Sequence, residues 1–390
     1  MTEIAALPQT VLPPGIRSRF VNDVNGLRMH ILEAGFEASS EKTTRPLVLL
    51  LHGFPELAYS WRKVMLPLAA AGYHVVAPDQ RGYGRTTGWD GDYDGDLGSF
   101  RILNLVKDAL ALVFSLGYRS VNVVGHDFGS FVAAWCSVIR PDVFRCVALM
   151  SAPFPGPPPL PFDTDKAGAA ASPPIANIHD ELATLKRPRK HYQWYYSTRE
   201  ANGNMLNAPQ GLHAFFRAYY HHKSADWKQN NPFPLKSWTA SELEKMPTYY
   251  IMDLDKGMAE TVAEEMPSAS EIAANKWLPE TELRVYSSEY GRTGFQGALN
   301  WYRCMTSAKY LGELQVFSGR TIDTPSCFIA GKSDWGIYQR PGGDMIKMRN
   351  DALTNMLGCH LVDGAGHWVQ QEQPERVSEL LAEFLNRQRR

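Results

Sequence analysis

The sequence predicts an α/β protein: a mostly parallel sheet with flanking helices, interrupted by an inserted, mainly helical lid. Three observations carry this. Apolar β-type runs alternate with helix-like segments through the first 150 of the 390 residues. Prolines then crowd 153–161 and Ala/Pro-rich sequence fills 167–174, after which helix-like polar–aromatic segments take over. Finally, β-type runs return near 326 and 359. One core domain, 1–154 with 311–390, is expected to bracket a lid of residues 155–310.

The elements follow in order. Residues 17–23 and 27–32 flank Asn25-Gly26, the strongest short hairpin signal. The polar stretch 37–45 reads as a surface loop. Residues 47–51 are apolar throughout, as a central parallel strand covered on both faces must be. Helix signals at 59–70 precede a strand at 74–77, and a long Gly/Asp-rich loop fills 84–97. A helix over 100–116 leads to a strand from Val121, a tight turn at Gly125-His126-Asp127-Phe128-Gly129 and a helix over 131–139. A strand at 143–150 closes the first half. In the lid, 181–198, 211–222, 239–255 and 259–265 read as helices. Strands at 326–331 and 359–363 and a helix at 373–385 complete the core. The apolar positions 377, 380, 381, 384 and 385 share one face of that helix.

Composition narrows the function. Charge is balanced, 40 basic against 41 acidic residues, so no nucleic-acid groove or polybasic membrane patch is expected. No apolar run reaches the roughly 18 residues of a membrane span. Met1-Thr2-Glu3-Ile4 lacks the basic start of a signal peptide, and the last residues are not a peroxisomal tripeptide. The five cysteines are far apart and read as free thiols in a reducing compartment. A cytoplasmic monomer or homodimer is expected, with no metal and no cofactor.

Ligands of such sheets bind beyond the carboxyl ends of the strands. Five marked loops leave strands at that end: 52–56, 79–84, 125–129, 331–336 and 364–368. The Gly-x-Asp-x-Gly at 125–129 has the shape of the nucleophile elbow of the α/β-hydrolase fold, with Asp127 at its centre. The two glycines leave room for the turn, and the start of the next helix favours an anion. Alone, the motif could equally be a helix cap. Asp334 and His367 on the later loops supply an acid and a histidine in the chain order of that fold. Asp363, four residues before His367, is too near in sequence to orient it. A carboxylate is already ionised at neutral pH and suits attack on strained or activated carbon, giving an alkyl ester. His367 is then free to activate water, with Asp334 fixing its tautomer. Backbone N–H groups of Phe54 and Phe128 are the natural oxyanion donors. His126 reads as structural.

His52-Gly53-Phe54-Pro55-Glu56, Asp79-Gln80-Arg81-Gly82-Tyr83-Gly84 and Gly125-His126-Asp127-Phe128-Gly129 resemble the motifs of soluble epoxide hydrolases in the α/β-hydrolase superfamily. In the lid, Tyr192-Gln193-Trp194-Tyr195-Tyr196 is similar to the segment whose leading tyrosine binds the epoxide oxygen. Phe295-Gln296-Gly297-Ala298-Leu299-Asn300-Trp301-Tyr302-Arg303 resembles the block carrying the second tyrosine. The length and the proline-rich approach to the lid are reminiscent of fungal members. The resemblance implies ring opening by Asp127, with Tyr192 and Tyr302 binding the ring oxygen and supplying a proton. Tyr195 is the rival for Tyr192. Pro55, Trp301, Trp335 and Trp368 are candidates for the substrate pocket, the last two equally placed to pack beneath it. The aromatic-rich middle third suits a small apolar or aryl epoxide, with water as co-substrate.

Two other readings share the fold. A haloalkane dehalogenase wants an indole N–H after the nucleophile, and Phe128, like Phe54, offers no polar side-chain hydrogen. A non-catalytic binding protein usually lacks the nucleophile, acid or base, and here all three are present.

Overall fold

Asn25 and Gly26 both take positive φ, 51° and 80°, which gives a two-residue hairpin the twist its strands need. They join β1 (Arg17–Val24) to β2 (Leu27–Ala34). The computed structural model describes residues 4–36, 45–160, 177–340 and 344–389. Nearly all of the expected loop at 37–45, and the Ala/Pro-rich stretch 167–174, lie outside the described residues.

The apolar run at 47–51 is β3 (Leu47–Leu51), buried at every position, as is β4 (His74–Pro78). Next come β5 (Val121–His126) and β6 (Phe144–Met150). Two short strands, β7 (Arg189–His191) and β8 (Ile251–Asp253), lie between the halves of the core. The core resumes with β9 (Ser326–Gly331) and β10 (Met356–Val362). The main sheet has eight strands in the order β1-β2-β4-β3-β5-β6-β9-β10. Strand β2 is antiparallel to both neighbours, and every pairing from β4 across to β10 is parallel.

The crossover from β3 to β4 runs one way along the sheet, and those from β4 to β5 and β5 to β6 run the other. Right-handed crossovers then put helix Arg62–Ala70 on one face and helices Ile102–Ser115 and Phe128–Ile139 on the opposite face. Helix Pro374–Asn386 packs beside Arg62–Ala70. It buries Val377, Leu380, Leu381, Phe384 and Leu385, the stripe its spacing indicates.

The segment between β6 and β9 is mainly helical and includes the helices Tyr192–Tyr196, Leu212–His222, Glu280–Thr293 and Gln296–Met305. Two expected helices are corrected here. Within 181–198 and 239–255 the chain forms β7 and β8, which pair antiparallel with each other. Pro188 and Pro247 lack an N–H and disfavour helix in the residue before them, so neither helix can run through. A third adjustment concerns the helix expected at 131–139, which begins at Phe128, directly after Asp127. Among the described residues no helix is long and apolar enough to cross a membrane.

Candidate active site

Asp127 sits between the end of β5 and the start of helix Phe128–Ile139, at φ 52° and ψ −121°. Few residues with a side chain adopt this conformation, which costs on the order of 1–3 kcal/mol. The surroundings enforce it. The Asp127 N–H donates to the Met150 carbonyl at 3.1 Å, and the Asp127 carbonyl accepts from the Ser130 N–H at 3.0 Å. A Cβ on Gly125 would lie 2.1 Å from the Gly129 carbonyl oxygen, and one on Gly129 would lie 2.2 Å from that of Leu51. Both positions therefore exclude any side chain, and the spacing of the two glycines is what makes the turn possible.

The loop after β3 comes equally close. A Cβ on Gly53 would meet the Asp127 Cβ at 2.4 Å. The peptide before Pro55 is cis, and the Phe54 N–H donates to Asp127 Oδ1 at 2.9 Å. Phe128 opens its helix, where the first N–H groups lack intrahelical acceptors. The other carboxylate oxygen, Oδ2, lies 3.3 Å from His367 Nε2, without the alignment of a hydrogen bond. On the far side of the ring, Nδ1 is 3.2 Å from both oxygens of Asp334, which also accepts from the Gly336 N–H at 2.7 Å. Asp127, His367 and Asp334 thus converge from three strand ends.

Burial raises the pKa of Asp127, but the His367 imidazole, Lys223 and His126 outweigh it and hold the carboxyl far below the usual range. Asp334 is lowered in the same way, its burial outweighed by His367 and the Gly336 N–H. His126 links two loops: Nδ1 meets Glu56 Oε2 at 2.6 Å and Nε2 meets the His367 carbonyl at 2.7 Å. Glu56 in turn accepts from the Gly53 N–H at 3.0 Å and from Gln370 at 2.8 Å.

Asp127 opens onto a cavity of about 400 Å³ whose wall includes both Tyr192 and Tyr302. Their rings are 6.1 Å apart. Tyr302, on helix Gln296–Met305, packs edge-on against Phe54 and Phe128. The Tyr192 hydroxyl donates to Gln339 Oε1 at 3.0 Å and accepts from Gln193 at 3.2 Å. Burial, and next the Asp127 charge, push both phenols above their ordinary pKa, so both carry a proton at neutral pH.

Other candidates lie elsewhere. Tyr195 is off the cavity wall, and its hydroxyl donates to Asn204 within the lid at 2.8 Å. Pro55, Trp301, Trp335 and Trp368 are also behind the wall. Trp301 precedes Tyr302 by about 100° of helix turn, so it points into the core, where its indole N–H donates to the Arg81 carbonyl at 2.9 Å. Trp368 donates to the Tyr220 carbonyl at 2.8 Å, and Trp335 packs against Phe233. Pro55 presents its carbonyl to the Tyr220 hydroxyl.

The wall is built instead from Phe131 and Trp135 on the elbow helix, Leu311 and Leu314, and near Tyr192 the polar Gln339 and Arg340. The spacing 128, 131, 135 is that of one helix face and could have pointed to the first two. The others belong to no recognisable motif. Lys223 was also invisible in the sequence. It is buried at the end of helix Leu212–His222, within electrostatic reach of Asp127 and Asp334.

A sequence model of the α/β hydrolase fold matches residues 46–374. Epoxide hydrolase B of Mycobacterium tuberculosis is 31% identical over 341 residues, spanning 87% of this chain and 91% of that protein. Epoxide hydrolase A of the same organism is 30% identical over 372 residues, spanning 93% and 95%. Among solved structures, an epoxide hydrolase from an endophytic Streptomyces superposes with a TM-score of 0.72 at 30% identity, covering 96% of each chain. Similar proteins also come from plants and mammals, so the likeness is not specifically fungal.

Proposed function

The chain belongs to the soluble epoxide hydrolase family of the α/β-hydrolase superfamily, and we infer that its residues share out the conversion of an epoxide and water to a vicinal diol as follows. Asp127 Oδ2, the oxygen not held by Phe54, attacks one ring carbon. The ring C–O bond breaks, its electron pair stays on the oxygen, and Tyr192 or Tyr302 donates the proton. The product is an alkyl ester of Asp127. His367 Nε2 then takes a proton from water, which attacks Asp127 Cγ. Negative charge builds on Oδ1, where the Phe54 N–H already stands at 2.9 Å and the Phe128 N–H is the second donor. Collapse expels the diol oxygen, which takes the proton from His367, and leaves Asp127 as a carboxylic acid; its remaining water proton returns to the tyrosinate, so the carboxylate and the phenol are both restored. Asp334 holds the imidazole in the required tautomer and stabilises its cation.

One observation carries this assignment: the two oxygens of one carboxylate have different partners. Oδ1 lies on a backbone N–H and Oδ2 faces an imidazole nitrogen that, among the described residues, has no hydrogen-bond partner. The lid is residues 155–310 and supplies both tyrosines, while 1–154 and 311–390 supply the triad. The aromatic and aliphatic part of the wall, Phe131, Trp135, Leu311 and Leu314, supports small apolar or aryl epoxides as substrates. A cytoplasmic monomer or homodimer is the accompanying reading.

The test is the intact mass of a His367→Gln variant after mixing with styrene oxide. An adduct of the whole epoxide mass, mapped to Asp127, is expected because ring opening proceeds and ester hydrolysis does not. No adduct with any epoxide, but an alkyl adduct and free halide with haloalkanes, overturns the reading.

A further inference from the structure

Lys223 has no part in the steps above, yet it is one of the most constrained charges in the molecule. Its residue is 3% exposed. Among the described residues no carboxylate lies within ion-pair distance of its ammonium. Four aromatic rings surround it instead: Tyr250 at 4.8 Å, Tyr219 and Trp368 at 5.5 Å, and Tyr249 at 5.7 Å. Each ring face attracts a cation, and together they offset part of the cost of taking it out of water. Burial lowers the lysine pKa, and the charges of Asp127, Asp334 and Glu56 act against that.

The position is fixed as firmly as the charge. The His367 N–H donates to the Lys223 carbonyl at 2.9 Å, and a Cβ on Gly366 would strike the backbone of 223–225 at 2.6–2.7 Å. Glu372 accepts from the N–H groups of Ala225, Gly366 and Trp368 at 2.8–3.0 Å. The end of a lid helix is thereby fastened to the loop that carries the catalytic histidine.

Charge moves at Asp127 in opposite directions in the two half-reactions. Alkylation turns a carboxylate into a neutral ester, and hydrolysis returns the negative charge. A fixed cation nearby opposes the first change and assists the second. We propose that Lys223 is a positioning residue for hydrolysis of the Asp127 ester, its caged ammonium drawing the negative charge back onto Asp127 and keeping the alkyl-enzyme from accumulating. This rests on the epoxide hydrolase reading given above.

The experiment is single-turnover mixing of the full-length enzyme with styrene oxide, with quenched samples read by intact mass to follow formation and decay of the adduct. Lys223→Met is expected to slow adduct decay about tenfold, with adduct formation unchanged or faster, the size of effect a single unit charge produces at a partly screened site. Lys223→Arg retains the cation and is expected to keep the wild-type ratio of the two rates. Lys223→Gln carries the same comparison should the Met variant not fold. Equal slowing of both steps, the sign of a merely structural role, overturns the proposal, as does an unchanged ratio. An absence of any adduct, even in the His367→Gln variant, overturns the parent reading and this one with it. An adduct with an unaltered ratio overturns this one alone.

Discussion

At the scale of single residues, the meeting of Asp127, Asp334 and His367 was legible because each announces itself locally. Asp127 is marked by two glycines that admit no Cβ, and Asp334 and His367 by glycine-flanked loops after apolar strands. The tyrosines were less legible. Tyr192 and Tyr195 lie three residues apart on one short helix, and nothing in the sequence says which of them meets the cavity. The Tyr192 hydroxyl meets Gln339, 147 residues on, while that of Tyr195 turns back to Asn204 in the next lid helix, and these contacts separate them. Tyr192→Phe is therefore expected to slow alkylation at least tenfold, in line with loss of one positioned acid, while Tyr195→Phe stays within about twofold of wild type. Single-turnover rates with styrene oxide check this, and the reverse ranking would transfer the role to Tyr195.

At the scale of elements, the core was read more faithfully than the lid. Strands such as β3 and β4 are encoded by continuous apolar runs, and the final helix by its stripe. The short strands β7 and β8 have three residues each and owe their pairing to a partner some sixty positions away, so no local period betrays them. The seam between lid and core is equally specific. Gly297 and Gly82 face each other so closely that a Cβ on Gly297 would lie 2.5 Å from the Gly82 carbonyl oxygen. Helix Gln296–Met305 begins at this contact and carries Tyr302. Gly297→Ala is expected to push that helix back, reducing kcat/KM at least tenfold and stability by about 1–3 kcal/mol. Steady-state kinetics and urea midpoints measure the two effects, and a variant with normal values of both would show that the seam yields without cost.

At the scale of the whole molecule, acid stability depends on buried carboxylates that hold the sheet edge. Glu33 on β2 is buried, where Arg17, Arg19 and His74 reach it. Burial raises its pKa, but hydrogen bonds from His74, Arg19 and Arg17 outweigh this and bring it down to about 2. A depressed carboxylate stabilises the fold fully above its unfolded value, 4.5, and the contribution is lost as pH falls through about 2. For a shift of this size the contribution is about 3 kcal/mol. Urea midpoints of the wild type should hold from pH 7 to 5 and fall below pH 4.5, and Glu33→Gln should flatten that fall. A variant with the full acid slope would place the effect on other groups.

The order of elements, the parallel core, the interruption by a helical insertion and the three loops that bring Asp127, Asp334 and His367 together follow from the amino-acid sequence by itself, because apolar periodicity and glycine spacing act over a few residues. Tertiary structure alone decided which tyrosine faces the cavity, that Phe131 and Trp135 line it while Trp301, Trp335 and Trp368 lie behind it, and that Lys223 rests in a ring of aromatics beside the triad. A side chain's direction is settled by whatever packs against it, and partners such as Gln339 for Tyr192, Arg81 for Trp301 and Trp368 for Lys223 come from segments more than a hundred residues away, a distance over which no local pattern carries information.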